Sequence, residues 1–133
     1  MNRFLACLLA ASILSPGFAS AALFKCATES TQGGVVQDIL LIQLNETTGE
    51  AMVLDPLINH IYGQAIVATT KKRSSTSWRL KWIVRELELR NGNVDLDMNA
   101  VLNLSRNSVN ITGTYLGYDN VISGRGTCER VKG

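Results

Sequence analysis

The sequence predicts an all-β domain. It is a single small antiparallel β-barrel of about seven to eight strands in up-and-down order, or a sandwich, with its N- and C-terminal strands joined by a disulfide. Three observations carry that expectation. Short stretches alternate between apolar and polar residues with period two, and turn residues separate them. No long helical period and no internal repeat interrupts them. Two cysteines, Cys26 and Cys128, lie near the two extremities of the chain that remains after an export signal is removed.

That signal is the first element. "MNRFLACLLAASILSPGFASA" begins with Arg3, continues through a mainly apolar run from Phe4 to Leu14, breaks at Pro16-Gly17 and ends on Ala19-Ser20-Ala21. A basic start, a short apolar middle and a small-residue end mark a secretory leader. The run is too short to span a bilayer, which takes roughly 18 or more apolar residues. Cleavage after Ala21 is expected, giving a signal over 1–21 and a mature β-domain over 22–133, 112 residues and one core. Cys7 leaves with the signal, and no lipoprotein cysteine follows the cleavage site. No second apolar segment of spanning length exists, so the expected product is periplasmic or secreted and does not cross a membrane.

Within the mature chain the first strand is "LFKCATES", Leu23 to Ser30. "VVQDILLIQLN" over 35–45 reads as the second, and its centre, Ile39 to Ile42, is apolar on both faces. A turn at Thr48-Gly49 leads to a strand from Ala51, which Asp55-Pro56 ends. "LINHIYGQAIVATT" reads as extended over about 57–70, with a bend or bulge at Gly63. "KKRSSTS" is a polar loop. In "WRLKWIVRELELR", Trp78, Leu80, Trp82 and Val84 share a face, but the apolar set then moves to Leu87 and Leu89. A β-bulge near Arg85-Glu86 reconciles the two phases; a short helix with Ile83 and Leu87 at i, i+4 is the alternative. Asn91-Gly92 suits a tight hairpin turn. "VDLDMNAVLNLS" sends Val94, Leu96, Met98, Ala100, Leu102 and Leu104 to one face. After Arg106-Asn107-Ser108 the alternation resumes at Val109, Ile111, Gly113 and Tyr115, and "NVISGRGTCERV" is the last strand.

In a barrel with an even number of such strands the first and last are neighbours. Closure then removes two exposed edges, and a Cys26–Cys128 bridge locks the seam. An even cysteine count fits an oxidising compartment, and the bridge spans 102 residues. A free thiol or a metal site is the competing use, but one histidine, His60, beside two cysteines is a poor zinc set. Gly124 and Gly126 share the face of Cys128; either a barrel corner lies over them or a ligand approaches the bare backbone.

Charge narrows the function classes. The mature side chains carry 12 basic and 11 acidic groups. Near-neutrality of that kind speaks against nucleic acid as partner. Lys71, Lys72 and Arg73, with Arg79, Lys81 and Arg85 beyond the loop, form the one notable cationic cluster; it suits anionic lipid head groups, lipopolysaccharide or an acidic protein. Trp78, Trp82, Met98 and Tyr115 are the candidate lining of an interior pocket for a small apolar ligand. His60 with Asp38 or Asp55 is the only acid/base option, and no nucleophile elbow accompanies it. Glu86 and Glu88, like Asp95 and Asp97, read as solvated strand faces. "DLDMN" opens like a calcium loop, yet Ala100 stands where glycine is required and Arg106 where the closing glutamate belongs. No cofactor or metal is expected.

The leader, "LFKC" after it and "GYDNVISGRGTC" near the end together resemble a group of small exported bacterial β-domain proteins of unassigned function. The resemblance implies an envelope location and a compact β-domain, and it transfers no catalytic or binding residue. In strand count the chain is also similar to lipocalin-like barrels and small periplasmic inhibitor barrels, a likeness of architecture alone. The expected function is therefore non-enzymatic: binding of a small apolar ligand, or of an envelope or protein partner. An inhibitor-like protein-binding barrel is one alternative and a hydrolase using His60 is another.

Overall fold

A computed structural model describes residues 21–32 and 35–131; residues 1–20 of the expected export signal lie outside them. Eight strands, β1 (Ala22–Gln32), β2 (Ile39–Leu44), β3 (Ala51–Leu54), β4 (Ile66–Ser74), β5 (Ser77–Leu89), β6 (Gly92–Asn103), β7 (Ser108–Tyr115) and β8 (Val121–Val131), form a closed antiparallel barrel in chain order. One short helix, α1 (Pro56–Tyr62), joins β3 to β4.

Period two decides which side chains enter the barrel. On β5, Trp78, Leu80, Trp82 and Val84 are buried, and on β6, Val94, Leu96, Met98, Ala100 and Leu102. Two indoles are bulky cargo for an eight-stranded barrel, whose interior is only just wide enough for its own side chains. Small residues on the inward faces of the neighbouring strands make the room: Ala51 on β3, Ala68 on β4, Ala100 on β6 and Gly113 on β7.

The seam is closed as the cysteines require. β1 pairs with β8 from Leu23↔Val131 to Gln32↔Ser123, and Cys26 sits directly opposite Cys128. Their sulfurs are bonded, with the Cα atoms 3.9 Å apart. Continuing inward along the same face, Thr28 meets Gly126 and Ser30 meets Gly124. A Cβ on Gly126 would lie 2.2 Å from the Ala27 carbonyl oxygen, and one on Gly124 2.6 Å from that of Glu29. The glycines let the two strands approach, and Thr28 and Val36 side chains cover them.

The bulge in β5 falls where the change of phase puts it, with the pairing to β6 slipping between Val84 and Leu87. Glu86 there adopts φ 55°, a left-handed conformation rare for a side-chain-bearing residue. The freed N–H groups find partners: Arg85 donates to Tyr62 Oη at 2.8 Å and Glu86 to Asp95 Oδ1 at 2.9 Å. Asp95 also pairs with the Arg85 guanidinium at 3.2 Å. Asp95 therefore serves the bulge rather than acting as a plain solvated residue.

Further expectations are corrected. "KKRSSTS", read as a polar loop, is strand to Ser74 at the end of β4 and again from Ser77 at the start of β5, which leaves a turn of two residues, 75–76. The stretch read as extended from 57 onward begins instead with α1. Asp55 is its N-cap, accepting from the Ile58 N–H at 2.7 Å, Pro56 occupies the first turn, and Gly63 ends it at φ 71°. These caps, with fully buried Ile58 and the half-buried Leu57 and Ile61 packed on the core, close one end of the barrel. The strand expected from residue 35 starts at Ile39, because the segment before it turns to the seam: Val36 covers Gly124, and Thr28 donates its N–H to the Asp38 carbonyl at 2.9 Å and its hydroxyl to that of Gln37.

Burial raises the Asp55 carboxyl above its ordinary value, and the backbone N–H groups of Ile58 and Leu57 draw it back only in part. A raised carboxyl favours the protonated folded state, so the cost is absent at low pH and sets in as pH rises through the folded value. Asp55→Asn keeps a capping oxygen and removes the buried charge. At neutral pH it is expected to match or exceed the parent in urea denaturation, with the difference shrinking toward pH 3. Asp55→Ala, which loses the cap, is expected to be less stable by about 1 kcal/mol.

Candidate functional site

The inside of the barrel is the first place to look for a site. A pocket for a small ligand leaves accessible area on the side chains that line it, roughly 300 Å³ or more of space in all. Trp78, Trp82 and Met98 are only 5%, 4% and 4% exposed, and Leu80, Leu96, Ala100 and Leu102 between and around them are fully buried. Of the four residues considered as a ligand lining, the structure brings Trp82 and Met98 together, as a directly opposed pair. Trp78 sits nearer the β4–β5 turn, opposite Leu102. Tyr115 pairs with Leu96 toward the other end and packs edge-on against Tyr118, ring centres 6.4 Å apart. The Met98 sulfur fills the space over Gly113, where a Cβ would meet it at 2.6 Å. One polar feature stands out inside. The indole N–H groups of Trp78 and Trp82 are buried and make no hydrogen bond among the described residues.

The outer wall of β4 and β5 presents the cationic cluster. On β4 the outward positions are Val67, Thr69 and Lys71, and on β5 they are Arg79, Lys81, Ile83 and Arg85. The register places Lys71 directly opposite Arg79 and Thr69 opposite Lys81. Arg73 lies where the pairing slips between Lys72 and Ser74. Lys72 belongs to the inward parity but emerges at the rim, its ammonium 5.8 Å from the centre of the Trp78 ring. The ion pairs of the described residues engage Arg85, Arg125 and Arg130. Lys71, Lys72, Arg73, Arg79 and Lys81 form none among those residues. Among the described residues the Arg79 Nε, covered by its neighbours, has no acceptor, and the Asn99 Oδ1 on β6, opposite Lys81, has no donor.

Apolar side chains adjoin these cations. Val67 is 71% exposed and Ile83 36%, and both line a shallow depression of about 460 Å³ with Thr69, Lys81, Arg85 and Asp97. Met52, half-buried on β3, is the strand partner of Val67 and extends the row. Sequence reasoning found the cations but not this row. The signal lay in the outward parity of Val67 and Ile83, which becomes meaningful only once β4 is known to lie beside β5.

The His60 option looks different in space. His60 lies exposed on α1 and shares a rim depression with Ile61, Glu86, Leu87 and Glu88, so the carboxylates near it come from the β5 bulge. Asp55 is engaged as the helix cap. Among the described residues no three His, Cys, Asp or Glu side chains converge as metal ligands would, and no helix is long and apolar enough to cross a membrane. Asn45, which begins an Asn-x-Thr triplet of the glycosylation type with Glu46 and Thr47, is 2% exposed and its Oδ1 accepts from the Thr47 and Thr48 N–H groups, which turns the β2–β3 loop. Comparison with protein-family models, curated proteins and solved structures finds no match to this chain.

Proposed function

We propose that the exported mature chain is a non-enzymatic binding module of the periplasm or the extracellular space, and that it meets an envelope or protein partner with its outer wall. The observation that supports this reading most is the occupancy of the interior by the protein's own side chains, with Trp82 and Met98 opposed and each 4% exposed. A carrier of small apolar ligands keeps that space for its guest. A Cys26–Cys128 bridge is compatible with an oxidising compartment, and cations left without ion pairs on one wall suit a partner that approaches from outside.

The second reading, an interior ligand, has one observation in its favour. Two indole N–H donors, of Trp78 and Trp82, have no acceptor among the described residues, and an unmet buried donor costs about 1–3 kcal/mol. A guest bearing an acceptor would relieve that cost. Native mass spectrometry of the protein recovered from its host's envelope separates the two. The outer-wall reading expects the polypeptide without a bound small molecule, alone or with a companion protein. A small molecule retained in stoichiometric amount overturns it.

A further inference from the structure

We propose that the β4–β5 wall is a docking surface for an anionic phospholipid bilayer, with Lys71, Arg79 and Lys81 contacting phosphates while Val67 and Ile83 press into the head-group layer. The inference rests on the outer-wall reading above and names its partner.

The first support is a repulsion that the fold itself maintains. Lys71 and Arg79 are direct cross-strand partners. Like charges so placed destabilise a sheet, and neither is relieved by an anion among the described residues. Three cations of the described residues are matched, Arg85 on this same wall with Asp95, Arg125 with Glu29 and Arg130 with Glu46, and Lys25, Arg90 and Arg106 stand unmatched elsewhere; Lys71 and Arg79 differ from those in facing each other directly. A partner that brings negative charge converts the repulsion into binding.

The second support is the company these cations keep. Val67, at 71%, is the most exposed of the large apolar side chains described. Val67 and Ile83 lie beside the long stems of Lys81 and Arg85, with one carboxylate, Asp97, across from Ile83; such stems, which lay their methylenes along an apolar surface and keep the charge at its edge, match the boundary between acyl chains and head groups. Protein interfaces draw their affinity chiefly from aromatic side chains and arginines seated in pockets. Here both tryptophans of the hairpin face inward, and the wall is the convex side of a barrel. A bilayer asks for no pocket.

The test uses the disulfide-intact mature chain and vesicles of phosphatidylglycerol with phosphatidylcholine, against phosphatidylcholine alone. Co-sedimentation with the anionic vesicles and its loss in high salt are expected, since exposed charges are screened there. Each cation near such a surface strengthens partition about five-fold. Lys71→Glu, a change of two charges, is therefore expected to weaken it about 30-fold. The same substitution replaces a repulsive pair by an attractive one, so its thermal midpoint is expected to rise by about 1–4 °C. Arg90→Glu, at the far end of the barrel, is expected to change vesicle binding by no more than about three-fold.

Equal binding to both vesicle types, or anionic binding that Lys71→Glu leaves unchanged, overturns the proposal. So does a wall that ignores vesicles yet captures poly-glutamate through Lys71, which would make the partner an acidic protein while the outer-wall reading stands. A retained interior ligand in native mass spectrometry refutes that broader reading instead, whatever the vesicles show.

Discussion

Cys26→Ala/Cys128→Ala is expected to lower the stability of the mature chain by about 4–5 kcal/mol, a large part of what a domain of this size possesses. The bridge closes a loop with a sequence separation of 102. In the chain-entropy description, a cross-link of that length removes more freedom from the unfolded chain than any local contact restores. The folded barrel itself is expected to persist, because β1 and β8 remain paired from Leu23↔Val131 to Gln32↔Ser123 without the sulfurs. The signature in urea is thus a much lower midpoint together with a steeper dependence on denaturant, the latter because the unfolded chain becomes less compact. A midpoint within experimental scatter of the parent would mean that the unfolded chain was never constrained by this bond.

Gly126→Ala is expected to be the most damaging single-methyl change in the protein, at about 3 kcal/mol or more. Alanine ordinarily improves on glycine in an ordered strand, by roughly 0.5–1 kcal/mol. Here the added Cβ would stand 2.2 Å from the Ala27 carbonyl oxygen, 2.7 Å from Thr28 Cγ2 and 3.0 Å from the Ala27 carbonyl carbon. Two of those obstacles are backbone, so relief requires parting β1 from β8 at the point where Cys26 and Cys128 hold them 3.9 Å apart between Cα atoms. Overpacking of that kind strains main chain and rotamers together. Gly113→Ala is the internal comparison. Its Cβ would also meet an atom at 2.6 Å, but that atom is the sulfur of Met98, on a side chain with several rotatable bonds. A cost of about 1 kcal/mol is expected there. Chemical denaturation of both variants gives the ordering; equal costs, or a harmless Gly126→Ala, would contradict the description of the seam. A ligand lying on bare backbone would predict that harmless outcome, with binding lost instead.

Much of this architecture was legible in the residues because period two is a strong local signal. The alternation from Val94 to Leu102 gives β6, the Asn91-Gly92 pair gives the turn before it, and the slip from Val84 to Leu87 gives the bulge. The forced pairing of Cys26 with Cys128 gave the seam, and with it the order of the strands.

What escaped had short-range signals that tertiary contacts decide. α1 is two turns long, and Leu57, Ile58 and Ile61 suit an extended reading nearly as well as a helix; the Asp55-Pro56 and Gly63 caps carried the answer. Val35 and Val36 look like strand residues by propensity, yet Val36 is drawn to the gap over Gly124. Asp95 looked solvated because its partners, the N–H of Glu86 and the guanidinium of Arg85, depend on the bulge geometry. In the candidate surface, the cations could be named from the chain. Their arrangement could not, since whether Lys71 opposes Arg79 or passes it depends on the register of the hairpin.

The two end strands of the chain, β1 and β8, are sewn to each other, so that a filled cylinder has only its outside to offer. Proton nuclear Overhauser effects across the seam test this most directly. With Cα atoms 3.9 Å apart, the Hα protons of Cys26 and Cys128 are expected to show a strong cross-peak, and the amides of β1 and β8 slow exchange with solvent. An absent cross-peak, with those amides exchanging as freely as the edges of an open sheet, would contradict it.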